Sequence, residues 1–166
     1  MGREGCVIAE PVSHRPLAVK YPLDRSFTHR LHTLSKLTDR ATQQAYLDVT
    51  GLPLGEGRCL AAIGSFSPLS LNEVAHMANV NKGQASRAVQ SLVDQGLVNK
   101  VVNASDARGV DLTLTKQGET IWDNLMHVID ERNQQIVDCL DAEQQAQFDA
   151  LLDLLVQHAR DSDSRD

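Results

Sequence analysis

A helix start, a tight turn, a second helix start and a glycine stop follow one another between Ser70 and Gly96, and this order constrains the chain more than any other feature. Ser70-Leu71-Asn72-Glu73 has the spacing of a capping box, in which the Ser70 hydroxyl and the Glu73 carboxylate each satisfy an orphan backbone N–H. The short helix it opens carries Leu71, Val74, Ala75 and Ala78 inward. Asn79-Val80-Asn81 predicts a tight turn, with Asn81 as the N-cap of a further helix from Lys82 to about Gln95. Ala85, Ala88, Val89, Leu92 and Val93 share one face of that helix, and Gly96 ends it where a left-handed residue is wanted. The period then drops to two. Residues 97–102 and 109–114 read as strands around the polar, Arg-tipped segment 103–108, which makes a hairpin.

The flanks are helical. Residues 1–22 hold Pro11, Pro16 and Pro22 with no sustained period and read as an extended arm. Leu23, Phe27, Leu31, Leu34, Leu37, Ala41 and Ala45 form the stripe of an amphipathic helix from Asp24 to about Val49, broken by Thr50-Gly51-Leu52-Pro53. Another helix covers about Leu54 to Phe66 and stops at Ser67-Pro68. Thr115 caps a long helix to about Leu140, with Ile121, Leu125, Val128, Ile129, Ile136 and Val137 on its apolar side. A last helix, Ala142 to about Ala159, carries Phe148, Leu151, Leu152, Leu155 and Val156. The predicted fold is mainly α with a small β-wing: a winged helix-turn-helix over 54–115, helical dimerisation segments at 23–50 and 116–160, and a fraying tail at 161–166. The stripes of the first and last helices exceed what two small motif helices can cover, which implies a partner chain.

An α-helix fits the major groove, about 12 Å wide, while an adjacent hairpin reaches the backbone beside it. Lys82, Gln84, Ser86, Arg87 and Gln90 lie on faces of the second motif helix that Ala85, Val89 and Leu92 do not use. Their donors and acceptors suit base edges and phosphates, so double-stranded DNA is the expected partner. A merely solvated polar face is the bland alternative, and the elements on either side of the helix argue against it. A winged-helix protein-interaction module would need an apolar exposed face there, which these polar residues contradict.

The net charge of −6 by itself opposes DNA binding, yet its distribution removes the conflict. Residues 81–111 carry 4 basic and 3 acidic side chains, whereas residues 112–166 carry 4 and 12. An acidic end pointing away from DNA leaves one locally basic face to bind it. Aromatics at 4 % argue against a ring-lined carbohydrate cleft or single-strand platform. No Gly-rich phosphate loop, Gly-x-Ser-x-Gly elbow or His-Glu-x-x-His motif occurs, so no enzyme and no cofactor is expected. No apolar run is long enough to span a membrane and the N-terminus is no signal peptide; the expected location is the cytoplasm. Cys6, Cys59 and Cys139, an odd count without close spacing, read as reduced thiols.

Residues 71–75, 85–98 and 112–118, with Asp106-Ala107-Arg108-Gly109-Val110 between them, resemble the multiple-antibiotic-resistance regulator (MarR) family of bacterial transcription factors. The resemblance covers about Asp24 to Ala159. It implies a homodimer whose first and last helices intertwine, reading a pseudo-palindromic operator, with repression as the default. In the wing, Asp106 and Arg108 match the family's aspartate and second arginine, with Asp106 orienting the Arg108 guanidinium. Ala107 departs from the pattern and removes one phosphate contact, which leaves Asn103 and Ser105 as neutral contacts.

The resemblance also implies a small effector, an aromatic acid or phenolic, bound between the dimerisation helices and the winged domain and shifting the dimer away from DNA. Glu56-Gly57-Arg58-Cys59-Leu60 has glycine where the family usually has a bulky aromatic, so unfilled volume beside Arg58 is one expectation and a filled gap is the other. Ser26, His29 and Arg30 of the first helix would line the pocket with Arg58 and clamp a carboxylate; the alternative is that they are surface residues, with Arg58 paired to an acid. Cysteine-based redox sensing on the same fold is the competing switch. Zinc sensing lacks a second ligand pair beside His29 and His32, so no metal is expected.

Overall fold

The structure, a computed structural model, describes residues 22–102 and 110–163. A single 3-10 turn, Leu23–Arg25, precedes α1 (Phe27–Thr50), and α2 (Leu54–Phe66), α3 (Leu71–Met77) and α4 (Lys82–Asp94) follow. Strands β1 (Val98–Val102) and β2 (Val110–Leu114) come next, then α5 (Lys116–Val137) and α6 (Ala142–Asp163). The fold class expected from the sequence is the one observed. The chain divides into a short unit ending at Ser35 and a larger one beginning at Lys36.

Three boundaries differ from the periodicity, each for a local reason. The helix α5 ends at Val137 rather than about Leu140, where the Leu140 N–H turns back to the Val137 carbonyl at 2.9 Å. The helix α1 starts at Phe27 rather than Asp24, because Ser26 sits in an extended conformation and its Oγ takes the His29 N–H at 3.4 Å. The helix α6 runs to Asp163, past Ala159. Gln157 Nε2 donates to Asp161 Oδ1 at 2.7 Å and Ser162 Oγ to the His158 carbonyl at 2.9 Å, which ties down its last turns. The arm expected at 1–22 lies outside the described residues except for Pro22, as do the last three residues of the tail.

The core of the larger unit joins all the elements of the helix-turn-helix to α5. Leu52, Leu60, Ile63, Val74, Leu92, Leu112 and Leu125 are fully enclosed. The first half of α5 thus shares the core of α2 and α4 through Leu125 and Val128. Strands β1 and β2 are antiparallel, from Val98 opposite Leu114 to Val102 opposite Val110. Leu69 adds a short third rung: its N–H donates to the Leu112 carbonyl at 3.3 Å, and the Leu112 N–H donates to the Leu69 carbonyl at 2.8 Å. Thr115 locks the base of this hairpin. Its hydroxyl donates to the Gly96 carbonyl at 2.7 Å and accepts from Gly118 N–H at 3.0 Å, capping α5 while holding the end of α4.

Two glycines mark close approaches. A Cβ on Gly118 would stand 2.0 Å from the Leu97 carbonyl oxygen. A Cβ on Gly57 would stand 2.4 Å from the Tyr46 ring.

Candidate nucleic-acid interface

Both helix starts of the motif close as reciprocal caps. Ser70 N–H donates to Glu73 Oε2 at 2.7 Å, and Glu73 N–H returns to Ser70 Oγ at 3.4 Å. The Ser70 backbone N–H, and after it the Ser70 side chain, hydrogen-bond the Glu73 carboxyl and hold it below the ordinary carboxylate range. Asn81 caps α4: its Oδ1 takes the Gln84 N–H at 2.9 Å, and Gln84 Oε1 takes the Asn81 N–H at 3.1 Å. The Asn81–Gln84 spacing carries the signature of a capping box, although only the Asn81 cap was expected from it. Between the helices, Asn79 adopts φ 52°, a left-handed conformation that asparagine tolerates better than most residues. Gly96 does the same at φ 71° after α4.

The result is a helix with Ala85, Val89 and Leu92 buried and Lys82, Gln84, Ser86, Arg87 and Gln90 exposed. These five side chains belong to one exposed surface, but two of them are already engaged. The Gln84 side-chain oxygen is spent on the cap, leaving only its NH2 group free of that bond. Gln90 accepts from Lys100 Nζ at 2.6 Å and donates to Asp94 Oδ1 at 2.7 Å. Lys100, on β1, was not singled out by sequence reasoning; only the strand register brings it to α4. The wing-tip residues Asn103, Ser105, Asp106, Ala107 and Arg108 lie outside the described residues.

The expected ligand residues fall in different places. Ser26 is half-buried, its hydroxyl donating to the Leu23 carbonyl at 2.7 Å; His29 is half-buried and Arg30 exposed. These three belong to the unit that ends at Ser35, and Arg58 belongs to the other. Arg58 Nη2 meets Asp39 Oδ1 at 2.5 Å, with both side chains about a third exposed. The gap expected at Gly57 is occupied: the Tyr46 ring, 4 % exposed, lies against the glycine. Of the two expectations for that position, the filled one holds. Burial raises the Tyr46 hydroxyl above its ordinary pKa, the Arg58 charge opposing.

Cys59 is fully buried, and burial lifts its thiol from 9.0 to about 11, so it stays protonated at neutral pH. Because the unfolded thiol ionises first, stability contributed by Cys59 is complete below pH 9.0 and falls as pH rises toward about 11. A Cys59→Ala variant should show a shallower loss of stability across that window in chemical denaturation. Iodoacetamide at neutral pH should label the exposed Cys139 of the folded protein and reach Cys59 only on unfolding, as peptide mass spectrometry would report. Among the described residues no three His, Cys, Asp or Glu side chains converge as a metal site, and no helix is long and apolar enough to cross a membrane.

The MarR family model matches residues 48–109, which run from the end of α1 to the wing. The HTH-type transcriptional repressor Rv2887 of Mycobacterium tuberculosis is 28 % identical over 116 residues, covering 70 % of this chain and 84 % of the relative. The crystal structure of that protein in complex with salicylic acid is 27 % identical, with a TM-score of 0.66 over 84 % of this chain and 99 % of its own. Two solved structures share the fold at lower identity. Bordetella bronchiseptica BpsR, described with its regulation by 6-hydroxynicotinic acid, has a TM-score of 0.74 at 18 % identity, covering 82 % and 96 %. A mutant MarR from E. coli complexed with operator DNA has 0.69 at 22 %, covering 77 % and 91 %. With its capped motif helices and its wing, the chain has the fold of these MarR proteins, and its residues 48–109 match the family's model.

Proposed function

We propose that the protein is a cytoplasmic, homodimeric, DNA-binding transcriptional repressor, released from a pseudo-palindromic operator by a small anionic aromatic ligand. The observation that carries this reading is the exposed set Lys82, Ser86 and Arg87 on a helix whose opposite face is buried. A groove-reading helix needs that division. The E. coli relative in complex with operator DNA supports it. The wing residues Asn103, Ser105, Asp106 and Arg108 are assigned to backbone contacts on the strength of the sequence alone.

Dimerisation is supported by apolar side chains that each terminal segment leaves in solvent. Phe27, Leu31 and Leu34 do so in the first unit, and Phe148, Leu151, Leu152 and Leu155 on α6 in the second. Exposed apolar area on this scale marks an interaction surface. On this reading the dimerisation region is 23–50 with 116–160 and the DNA-binding domain is 54–115. The acidic excess of residues 112–166 then lies outside the DNA-binding domain.

Ser26, His29, Arg30 and Arg58 are the proposed ligand contacts. The complex of Rv2887 with salicylic acid supports an aromatic acid as the class. Arg58 is not idle in the free chain: an incoming carboxylate would take the place of Asp39. Replacing Arg58 with alanine should abolish ligand-dependent release while DNA affinity stays within about threefold. Loss of DNA binding instead would overturn that assignment.

The test of the function is a salt titration against a random-sequence duplex, followed by a thermal-shift screen with salicylic acid and related acids. A repressor of this kind loses about 10³ or more in affinity between 50 and 200 mM salt. An affinity that does not move with salt would favour a protein-interaction module. A ligand that raises the melting temperature should also release the promoter fragment.

A further inference from the structure

The side-chain amide of Gln90 sits between a cation and an anion. Lys100 Nζ donates to its oxygen at 2.6 Å, and its nitrogen donates to Asp94 Oδ1 at 2.7 Å. Strand register explains why Lys100 arrives there. Lys100 pairs with Leu112, and directly opposed residues of an antiparallel pair share a face. Leu112 is buried in the core, so the Lys100 stem starts on the core side of β1. Its ammonium emerges beside α4, on a cleft of about 240 Å³ that Ser86, Val89 and Gln90 also line. Bidentate readout of adenine needs both the oxygen and the NH2 of a glutamine, and both are engaged here.

Resting on the DNA-binding reading above, we infer that Lys100 contacts the DNA backbone and that Gln90 is its positioning residue rather than a base reader. An ammonium is a compact point charge suited to a phosphate. Asp94, one helical turn beyond Gln90, offers that ammonium a competing carboxylate. The interposed amide binds both groups and holds the cation off the carboxylate. Without it, the long lysine stem lets Lys100 close on Asp94, and the charge is neutralised inside the protein before it reaches DNA. The pairing ties the wing stem to the groove-facing helix, so that both approach DNA in one register.

The experiment measures, for the full-length protein, the slope of log affinity against log salt on a random duplex and the preferred sequence selected from a randomised pool. Lys100→Ala is expected to reduce the slope by about 0.9 per protomer and leave the selected sequence unchanged. Gln90→Ala should reduce the slope by the same amount, also without changing the sequence, and add nothing in the Lys100→Ala background. Asp94→Asn should restore the slope in the Gln90→Ala protein. A slope that Lys100→Ala leaves intact overturns the inference, as does a Gln90→Ala protein with normal slope and altered preference at one base pair. No salt-dependent binding by the unaltered protein would instead overturn the DNA-binding reading itself, and this inference with it. Gln90, Asp94 and Lys100 are all exposed residues, so none of the substitutions removes a buried core side chain.

Discussion

Gly118→Ala is expected to destabilise the protein by about 3 kcal/mol, the upper end of what overpacking usually costs. The added methyl would stand 2.0 Å from the Leu97 carbonyl oxygen and 3.0 Å from its carbon. Neither is the end of a flexible side chain. The Leu97 carbonyl accepts the Thr115 N–H at 3.0 Å, and Leu97 itself is buried, so displacement of this backbone breaks the bond that holds the N-cap residue of α5 in place. Alanine's better helix propensity returns about 1 kcal/mol at most. At equal protein concentration the melting temperature should fall by about 6–12 °C. A variant as stable as the parent would mean that α5 does not press on Leu97 as described. DNA affinity should fall with it, because the same contact sets the base of the wing.

Tyr46→Ala should cost about 3–5 kcal/mol, the range for deleting a large buried aromatic. The ring is 4 % exposed and fills the space that Gly57 vacates on α2. Removal therefore leaves a cavity beside Gly57. Adding p-cresol, which is the lost side chain as a free molecule, should raise the melting temperature of the variant and not that of the parent. Gly57→Ala should be milder, since a ring can shift where a backbone carbonyl cannot. A loss below about 1 kcal/mol in Tyr46→Ala would show that α1 and α2 close over the vacated space. The experiment also bears on regulation, because it asks whether this part of the protein can be opened to an aromatic molecule at all.

Much of the architecture could be read from local rules. The Ser70 and Thr115 caps, the Gly96 stop, the breaks at Thr50-Gly51 and Ser67-Pro68, and the change of period at 97 all mark backbone groups whose partners lie within a few residues. The apolar stripe of α4 likewise predicted which side turns inward, so Ala85, Val89 and Leu92 were legible. The site was legible only in outline. Periodicity assigned Gln84 and Gln90 to an exposed face but could not reveal that one oxygen is spent on a cap and that the other amide is shared between Lys100 and Asp94.

By itself, the sequence determined the element order and the inward faces, because capping, glycine conformation and side-chain periodicity act over one or two turns of chain. Only the tertiary structure decided how distant residues meet. It set Tyr46 against Gly57, Asp39 on Arg58, Lys100 on Gln90 and Leu97 against Gly118. The physical reason is separation along the chain: each of those contacts joins residues on different elements, and their meeting follows from helix packing and strand register, which no local spacing encodes.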